Sequence, residues 1–297
     1  MRNRSPRHLP FPRPTPAPRW LVAVAVWFAV SIGSGATCVK QINHRPLAAG
    51  ASLAEAIAVI EQQHTGIRSL KAFDSQVAVA VNGFPVPSLS ARVAAVPELK
   101  LRIVAQTGFT GEEVDIGSND DHFWMWVRRN EPPGVYWCRH SEFAQSELRR
   151  HFPIDPSWMM ECLGLAAFQP SDKHLSMQPA GGGRLAIRSV RNTAIGPLQK
   201  YTWVDEVMGW VVEQHLYTAD GKIIASARGS QHQVDPYTGA VTPRKIEMRW
   251  PSMKLDLKLT LGGVELNQLD EQGTTLWEMP QTPDAPPTHL MQMFRQQ

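Results

Sequence analysis

From Lys245 to Leu261 the chain alternates apolar and polar residues in two runs. Ile246, Met248 and Trp250 interleave with Lys245, Glu247 and Arg249; after Pro251, Leu255, Leu257, Leu259 and Leu261 interleave with Lys254, Asp256, Lys258 and Thr260. A period of two sends successive side chains to opposite faces, so each run is a strand with one dry and one wet face. A sheet of such strands must cover its dry face and manage its edges.

Weaker copies of the pattern recur. Val77, Val79 and Val81 alternate, then Leu89, Ala91 and Val93 after a turn at Asn82-Gly83, then Leu99, Leu101 and Ile103 against Lys100 and Arg102. Val114 to Ile116, His122 to Arg128 and Gly134 to Arg139 extend the series. Leu185 to Val190, Gln199 to Val204, Trp210 to Tyr217, Lys222 to Arg228, Ser230 to Val234 and Val264 to Asn267 follow, with Asp220-Gly221 as a hairpin turn. Short strands with turn signals at this spacing predict a sandwich or barrel. Two helices interrupt: Ser52-Leu53-Ala54-Glu55 is a capping box ahead of Leu53, Ala56, Ile57 and Ile60, and Asp155-Pro156 opens a helix to Leu165 with Trp158, Met159, Cys162 and Leu163 on one face.

The amino terminus reads as an export signal. An Arg- and Pro-rich head precedes the apolar run Trp20–Ile32, followed by Gly33, Ser34, Gly35 and Ala36. As a helix the run spans ~20 Å, short of a ~30 Å hydrocarbon core. An uncleaved anchor is the other reading, and both put the remainder outside the cytoplasm. Cys38 stands where a lipoprotein signal places its acylated cysteine, although Gly35-Ala36-Thr37-Cys38 departs from the usual lipobox and Ser34-Gly35-Ala36 also suits ordinary cleavage. The expected organisation is a signal peptide over 1–37, a tether over 38–50, one domain over 51–278 and a loose tail over 279–297.

The net charge of +3 depends on this leader, since five of the 30 basic residues and no acid precede residue 38, leaving 25 bases against 27 acids. A mature chain without cationic excess is a poor match to nucleic acid, so no such partner is expected. Cys138 and Cys162 are open to two readings, a disulfide or two small buried hydrophobes. No CxxC, HExxH or G-x-S-x-G occurs. Asn119-Asp120-Asp121-His122 reads as a turn, and Gly181-Gly182-Gly183-Arg184 as a connection without the Lys-Ser/Thr of a phosphate loop. No catalysis, metal or cofactor is expected.

The order of signal, helix, strands, helical interruption and further strands resembles the LolA/LolB-like lipoprotein carriers. Three stretches carry the likeness: Ser90 to Ile103 (SARVAAVPELKLRI), Asp115 to Val127 (DIGSNDDHFWMWV) and Lys245 to Asn267. The resemblance implies a mainly β fold with helices (α+β), a curved antiparallel half-barrel of about eleven strands with helices on the concave side. It also implies an apolar cavity for a lipid or lipoprotein acyl chain, and a membrane surface as partner. Strand parity nominates Val77, Val79, Leu101, Ile103, Met125, Met248, Trp250, Leu257 and Leu259 as the lining, with a packed core as the plainer reading of the same residues. By analogy with the lipid-anchored members, Phe109 in Thr107-Gly108-Phe109-Thr110-Gly111 is nominated to touch the membrane, against folding back on the core, and Cys38 to be lipidated. Trp124, Trp126 and Trp137 are nominated as an aromatic patch, against plain packing. The expectation is a monomeric lipid-binding protein of the cell envelope; the alternative is a sensor or structural interaction module with the same fold.

Overall fold

In the computed structural model the structure describes residues 46–129, 131, 133–151, 154–194, 196–270, 275–281 and 287–295. The expected signal peptide, Cys38 and most of the tether lie outside the described residues.

Helix α1 (Leu53–Gln62) is followed by β1 (Leu70–Val81), β2 (Phe84–Pro85), β3 (Leu89–Val96), β4 (Lys100–Thr107), β5 (Gly111–Ser118), β6 (His122–Val127) and β7 (Val135–Arg139). Then come α2 (His140–Gln145), α3 (Leu148–His151) and α4 (Pro156–Cys162). The second strand series is β8 (Asp172–Pro179), β9 (Arg184–Thr193), β10 (Gly196–Asp205), β11 (Val211–Tyr217), β12 (Ile223–Ser230), β13 (Gln233–Val234), β14 (Val241–Thr242), β15 (Lys245–Trp250), β16 (Leu255–Thr260) and β17 (Gly263–Leu266). The described chain ends with β18 (Pro287–His289) and α5 (Leu290–Arg295).

The two expected helices begin where their caps said. Ser52 accepts from the Glu55 amide while the Glu55 carboxylate accepts from the Ser52 amide, and Asp155 accepts from the Ser157 amide ahead of Pro156.

Sixteen strands form one sheet among the described residues, ordered β18-β7-β6-β5-β4-β3-β1-β16-β15-β12-β11-β10-β9-β8, with β2 and β17 beside β1. Every pairing is antiparallel except β18 on β7. The sheet is open, with β18 and β8 at its ends. Strands β13 and β14 pair apart from it, and the large sheet exceeds the eleven strands expected in part because β2 and β18 are only two or three residues long and β8 (DKHLSMQP) does not alternate cleanly.

One apolar cluster runs from Leu101 and Ile103 of β4 through Val77, Leu259, Leu257, Met248 and Ala227 to Leu216 of β11. From β4 to β11 is six strand spacings, roughly 29 Å along a flat sheet. Helix α4, whose Trp158, Met159 and Met160 belong to that cluster, is only about 10 Å long. A curved sheet brings its strands within reach of so short a cover. A bulge in β1 between Ala72 and Ser75, with Asp74 at φ 53°, contributes to the bend.

The helices share this inner face. Helix α1 sets Ile60 against Ile187, Val204 and Phe168, while Phe143 of α2 and Leu290 of α5 cover Phe123 and Cys138. Residues 287–295, expected to be loose, therefore form a strand and a helix that finish the β6–β7 end of the core. Among the described residues no helix is long and apolar enough to cross a membrane.

Candidate functional site

Seven of the nine residues nominated as a cavity lining, Val77, Leu101, Ile103, Met248, Trp250, Leu257 and Leu259, are buried in the single cluster that α4 closes. Val79 packs at its edge, and Met125 is half-buried outside it. Trp158 of α4 meets Trp250 edge-on, ring centroids 5.9 Å apart. None of the nine lines a described cavity. They form a packed core, because α4 delivers two methionines and an indole into the hollow they would have enclosed. The indole nitrogens of both Trp158 and Trp250 are buried without a hydrogen-bond partner among the described residues.

The apolar cavity lies farther along the same inner face. Its volume is about 420 Å³, and Pro197 and Leu198 of β10, Leu216 of β11 and Ile223 and Ile224 of β12 supply its aliphatic walls. Leu216 belongs to the main core and Ile224 packs against it, so the cavity adjoins the filled region. Arg149 and Asp155, an ion pair, also line it. Burial pushes the Asp155 carboxyl up, but Arg149, the Ser157 hydroxyl and Arg191 together hold it below the ordinary carboxylate value. A second cavity of about 580 Å³ lies between the outer face and Leu269, Thr275 and Leu276, with Lys71, Arg92, Arg102 and Glu112 among its walls. Each cavity carries four charged side chains, those of the first being Arg149, Asp155, Asp220 and Lys222, so charge does not separate them; the first lies on the inner face that α4 covers.

Four buried charges fasten α4 beside the first cavity. Arg191 of β9 donates from Nη2 to Glu161 Oε1 at 2.6 Å and from Nε to Asp172 Oδ1 at 2.6 Å. Lys200 of β10 donates to Glu161 Oε2, to Asp172 Oδ2 at 3.2 Å and to the Ala167 carbonyl at 3.1 Å. All four side chains are almost wholly buried, and their charges cancel. Burial pushes Asp172 up, yet the hydrogen bond from Arg191 and the charges of Lys200 and Arg191 prevail and hold it at about 2. The sequence showed two cations and two acids in separate segments, with no pattern joining them.

Strand register shows where the cavity sits. Val81 pairs with Leu255, Val77 with Leu89 and Ser90 with Gln106, so the β1–β3 connection, the β4–β5 turn and the β15–β16 turn share one end of the sheet. Arg249 pairs with Ser226, Tyr217 with Ile223 and Gln199 with Tyr217, which brings the β11–β12 and β9–β10 turns to the same end. Those two turns contribute Gly196, Thr218, Asp220 and Lys222 to the cavity, and the β15–β16 turn adds Ser252. At this end Phe109 is fully exposed, and Phe84 and Val86 of the β1–β3 connection are exposed too. Phe109 therefore does not fold back on the core.

The remaining nominated groups have structural roles. Trp124 is wholly buried on the outer face, lying over Gly117 of the next strand and donating from Nε1 to Asp115 at 3.1 Å. Arg102 pairs with the same carboxylate at 2.7 Å and donates to the carbonyls of Thr275, Leu276 and Glu278. Trp126 and Trp137 are half-buried, so no three-indole patch forms. Asn119 Oδ1 accepts from the Asp121 and His122 amides, as a turn requires. Cys138 and Cys162 are both free and buried, in different clusters, so they do not pair with each other.

No protein-family model and no curated protein matches the chain. Solved structures do. An outer membrane lipoprotein-sorting protein domain from Vibrio parahaemolyticus is similar at 10% identity and a TM-score of 0.52, over 73% of this chain and 93% of that one. A DUF1329 family protein from Desulfovibrio piger is similar at 11% identity and a TM-score of 0.50, with the same coverage of each chain. A LolA superfamily protein from Nitrosomonas europaea stands at 12% identity and a TM-score of 0.47, over 73% and 96%, too distant to bear on the argument. At such identities the likeness shows the fold alone: this chain has a large, curved, open sheet similar to that of the Vibrio domain.

Proposed function

We propose that this chain is an exported protein of the cell envelope that shelters an acyl chain or lipid and works at a membrane surface, without catalysing a reaction. The observation that carries the reading is that a partly aliphatic cavity and the exposed side chains Phe109, Phe84 and Val86 lie at the same end of the sheet, on different strands. Each methylene moved out of water gains ~0.8 kcal/mol, so a chain burying ten of them gains roughly 8 kcal/mol before ordering costs, with no polar recognition. The exposed aromatics would enter the bilayer surface and bring the cavity to its ligand. The export signal and Cys38 support an envelope location with a lipid anchor, as does the lipoprotein-sorting role named for the Vibrio domain. The protein works as a monomer in this reading and needs no cofactor.

The test is native mass spectrometry of protein taken from its own membranes, with fluorescent fatty-acid binding in vitro. A co-purifying lipid is expected. Ile224→Trp should fill the cavity and weaken binding by about tenfold or more, the equivalent of ~1.4 kcal/mol. Phe109→Ala should keep that binding but reduce co-sedimentation with vesicles. A protein that arrives empty and binds no fatty acid refutes the reading. The filled inner face favours a second one, an envelope sensor or interaction module that binds no ligand, and its mark is an empty protein that captures one specific partner.

A further inference from the structure

The edge of the sheet formed by β7 and β18 gathers three metal-ligating side chains from distant parts of the sequence. β18 pairs Pro287 with Val135, Thr288 with Tyr136 and His289 with Trp137. The His289 ring is held edge-on against Trp137, centroids 4.5 Å apart. Cys138, next to Trp137, points inward among Phe123, Phe143 and Leu148. Glu142, in the first turn of α2, reaches the same place. Cys138 Sγ, a Glu142 carboxylate oxygen and a His289 ring nitrogen all lie within 4.8 Å of one another.

Two details set this trio apart from an ordinary ion pair. Glu142 Oε2 and His289 Nε2 are 2.8 Å apart, yet they do not align as a hydrogen bond, and Oε2 is buried without a hydrogen-bond partner among the described residues. Among the described residues the Cys138 sulfur makes only backbone hydrogen-bonding contacts, a long one to the Arg139 carbonyl at 3.5 Å and one to the Phe143 backbone. A buried oxygen without a hydrogen bond, a thiol held only by backbone contacts and an imidazole thus lie within coordinating reach of one another.

We propose that Cys138, Glu142 and His289 bind one zinc ion. Zinc accepts sulfur, nitrogen and oxygen donors together, and donors of a tetrahedral site lie about 3.4 Å apart, so adjustments of about 1 Å suffice. The Cys138 thiol releases its proton to water as the Zn–S bond forms, and His289 binds through neutral Nε2. The Glu142 side chain is 39% exposed, which opens the fourth position to a water or an exchangeable ligand. The ion would tie β18 and α5 to β7 and α2, holding a three-residue strand too short to persist by pairing alone. This inference is independent of the lipid reading.

The experiment uses the full chain after chelator treatment, titrated with Zn²⁺ or Co²⁺ alone. One Zn²⁺ per chain, a near-ultraviolet thiolate-to-cobalt band with Co²⁺ and a Zn²⁺-dependent rise in Tm are expected. His289→Asn and Glu142→Gln should each lower Zn²⁺ affinity by about 100-fold or more, beyond the ~10–100-fold that loss of a supporting group costs. Cys138→Ala should abolish the cobalt–thiolate band. If Cys138→Ala fails to fold, the His289 and Glu142 variants give the answer through Tm. The proposal is overturned if the wild-type chain takes up no Zn²⁺ at stoichiometric concentration. It is also overturned if His289→Asn binds Zn²⁺ as tightly as wild type, since the ion then sits elsewhere.

Discussion

Replacing Lys200 with Met tests what holds α4 on the sheet. Lys200 is wholly buried and donates to Glu161, Asp172 and the Ala167 carbonyl, while its ammonium lies 4.9 Å from the Phe168 ring centroid. Methionine keeps most of the volume and removes the charge. Glu161 and Asp172 are then left with Arg191 alone, one uncompensated negative charge where side chains are almost fully shielded from water. Removing one partner of a buried pair costs ~3–5 kcal/mol, because the remaining charge stays desolvated. For a domain of this size that is a fall in Tm of roughly 10 °C. Urea unfolding followed by tryptophan fluorescence measures it, with Glu161→Gln added as the second arm of a double-mutant cycle. Lys200→Met with Glu161→Gln restores neutrality and should recover more than half of the loss. A single-variant cost below about 1 kcal/mol would refute the reasoning, since an exposed pair costs no more. A double variant no more stable than Lys200→Met would refute it equally, because packing rather than charge would then be the cause.

Two further perturbations address other parts of the core. Burial drives the His64 imidazole down from 6.5 to about 4, with the Gly164 carbonyl opposing and the His232 charge adding to the fall. The unfolded chain therefore takes up this proton first, so the His64 contribution is complete above pH 6.5 and is lost as pH falls towards 4, about 3 kcal/mol in all; unfolding free energies across that window should show the slope in wild type and a flatter one in His64→Asn. Gly117→Ala puts a Cβ 2.0 Å from Trp124 Cζ2, which forces the buried indole off Asp115. The expected loss is ~1–3 kcal/mol, read as a shift in the urea midpoint, and an unchanged midpoint would mean that the ring moves freely.

How much of this was legible follows from the range of each interaction. Ser52 with Glu55, and Asp155 with Pro156, act within one helical turn, and both helices start at those caps. Alternation over Lys245–Trp250 and Leu255–Thr260 likewise fixed the faces of β15 and β16. Lys200 defeats the pattern, since it points inward between Leu198 and Thr202, and only Glu161 and Asp172 from other elements explain a charge there. Residues 287–295 carry no periodic signal, and their order comes from β7 and the Phe123–Phe143 cluster. Position at the end of a sheet is also non-local: the placement of Phe109 at the same end as the β9–β10 and β11–β12 turns comes from register across many strands.

The misplaced cavity has a physical lesson of its own. Regular alternation marks residues that pack well, and the residues nominated by it are the ones α4 covers. The cavity lies instead where strands give way to turns, among Pro197, Ala219 and Ile223, beside Arg149 of α3 and the Asp155 cap of α4. A ligand confined to that 420 Å³ leaves α4 in place. On the proposed reading a longer hydrocarbon would have to move α4, and α4 cannot leave without separating Glu161 from both Arg191 and Lys200. That separation opposes displacement by several kcal/mol, whereas the buried indole nitrogens of Trp158 and Trp250, each without a hydrogen-bond partner, favour it by ~1–3 kcal/mol apiece once they reach water. The two effects are of similar size and opposite sign. On the proposed lipid-binding reading, the depth to which the inner face would admit a ligand would therefore turn on the Glu161–Asp172–Arg191–Lys200 cluster together with the apolar packing of α4.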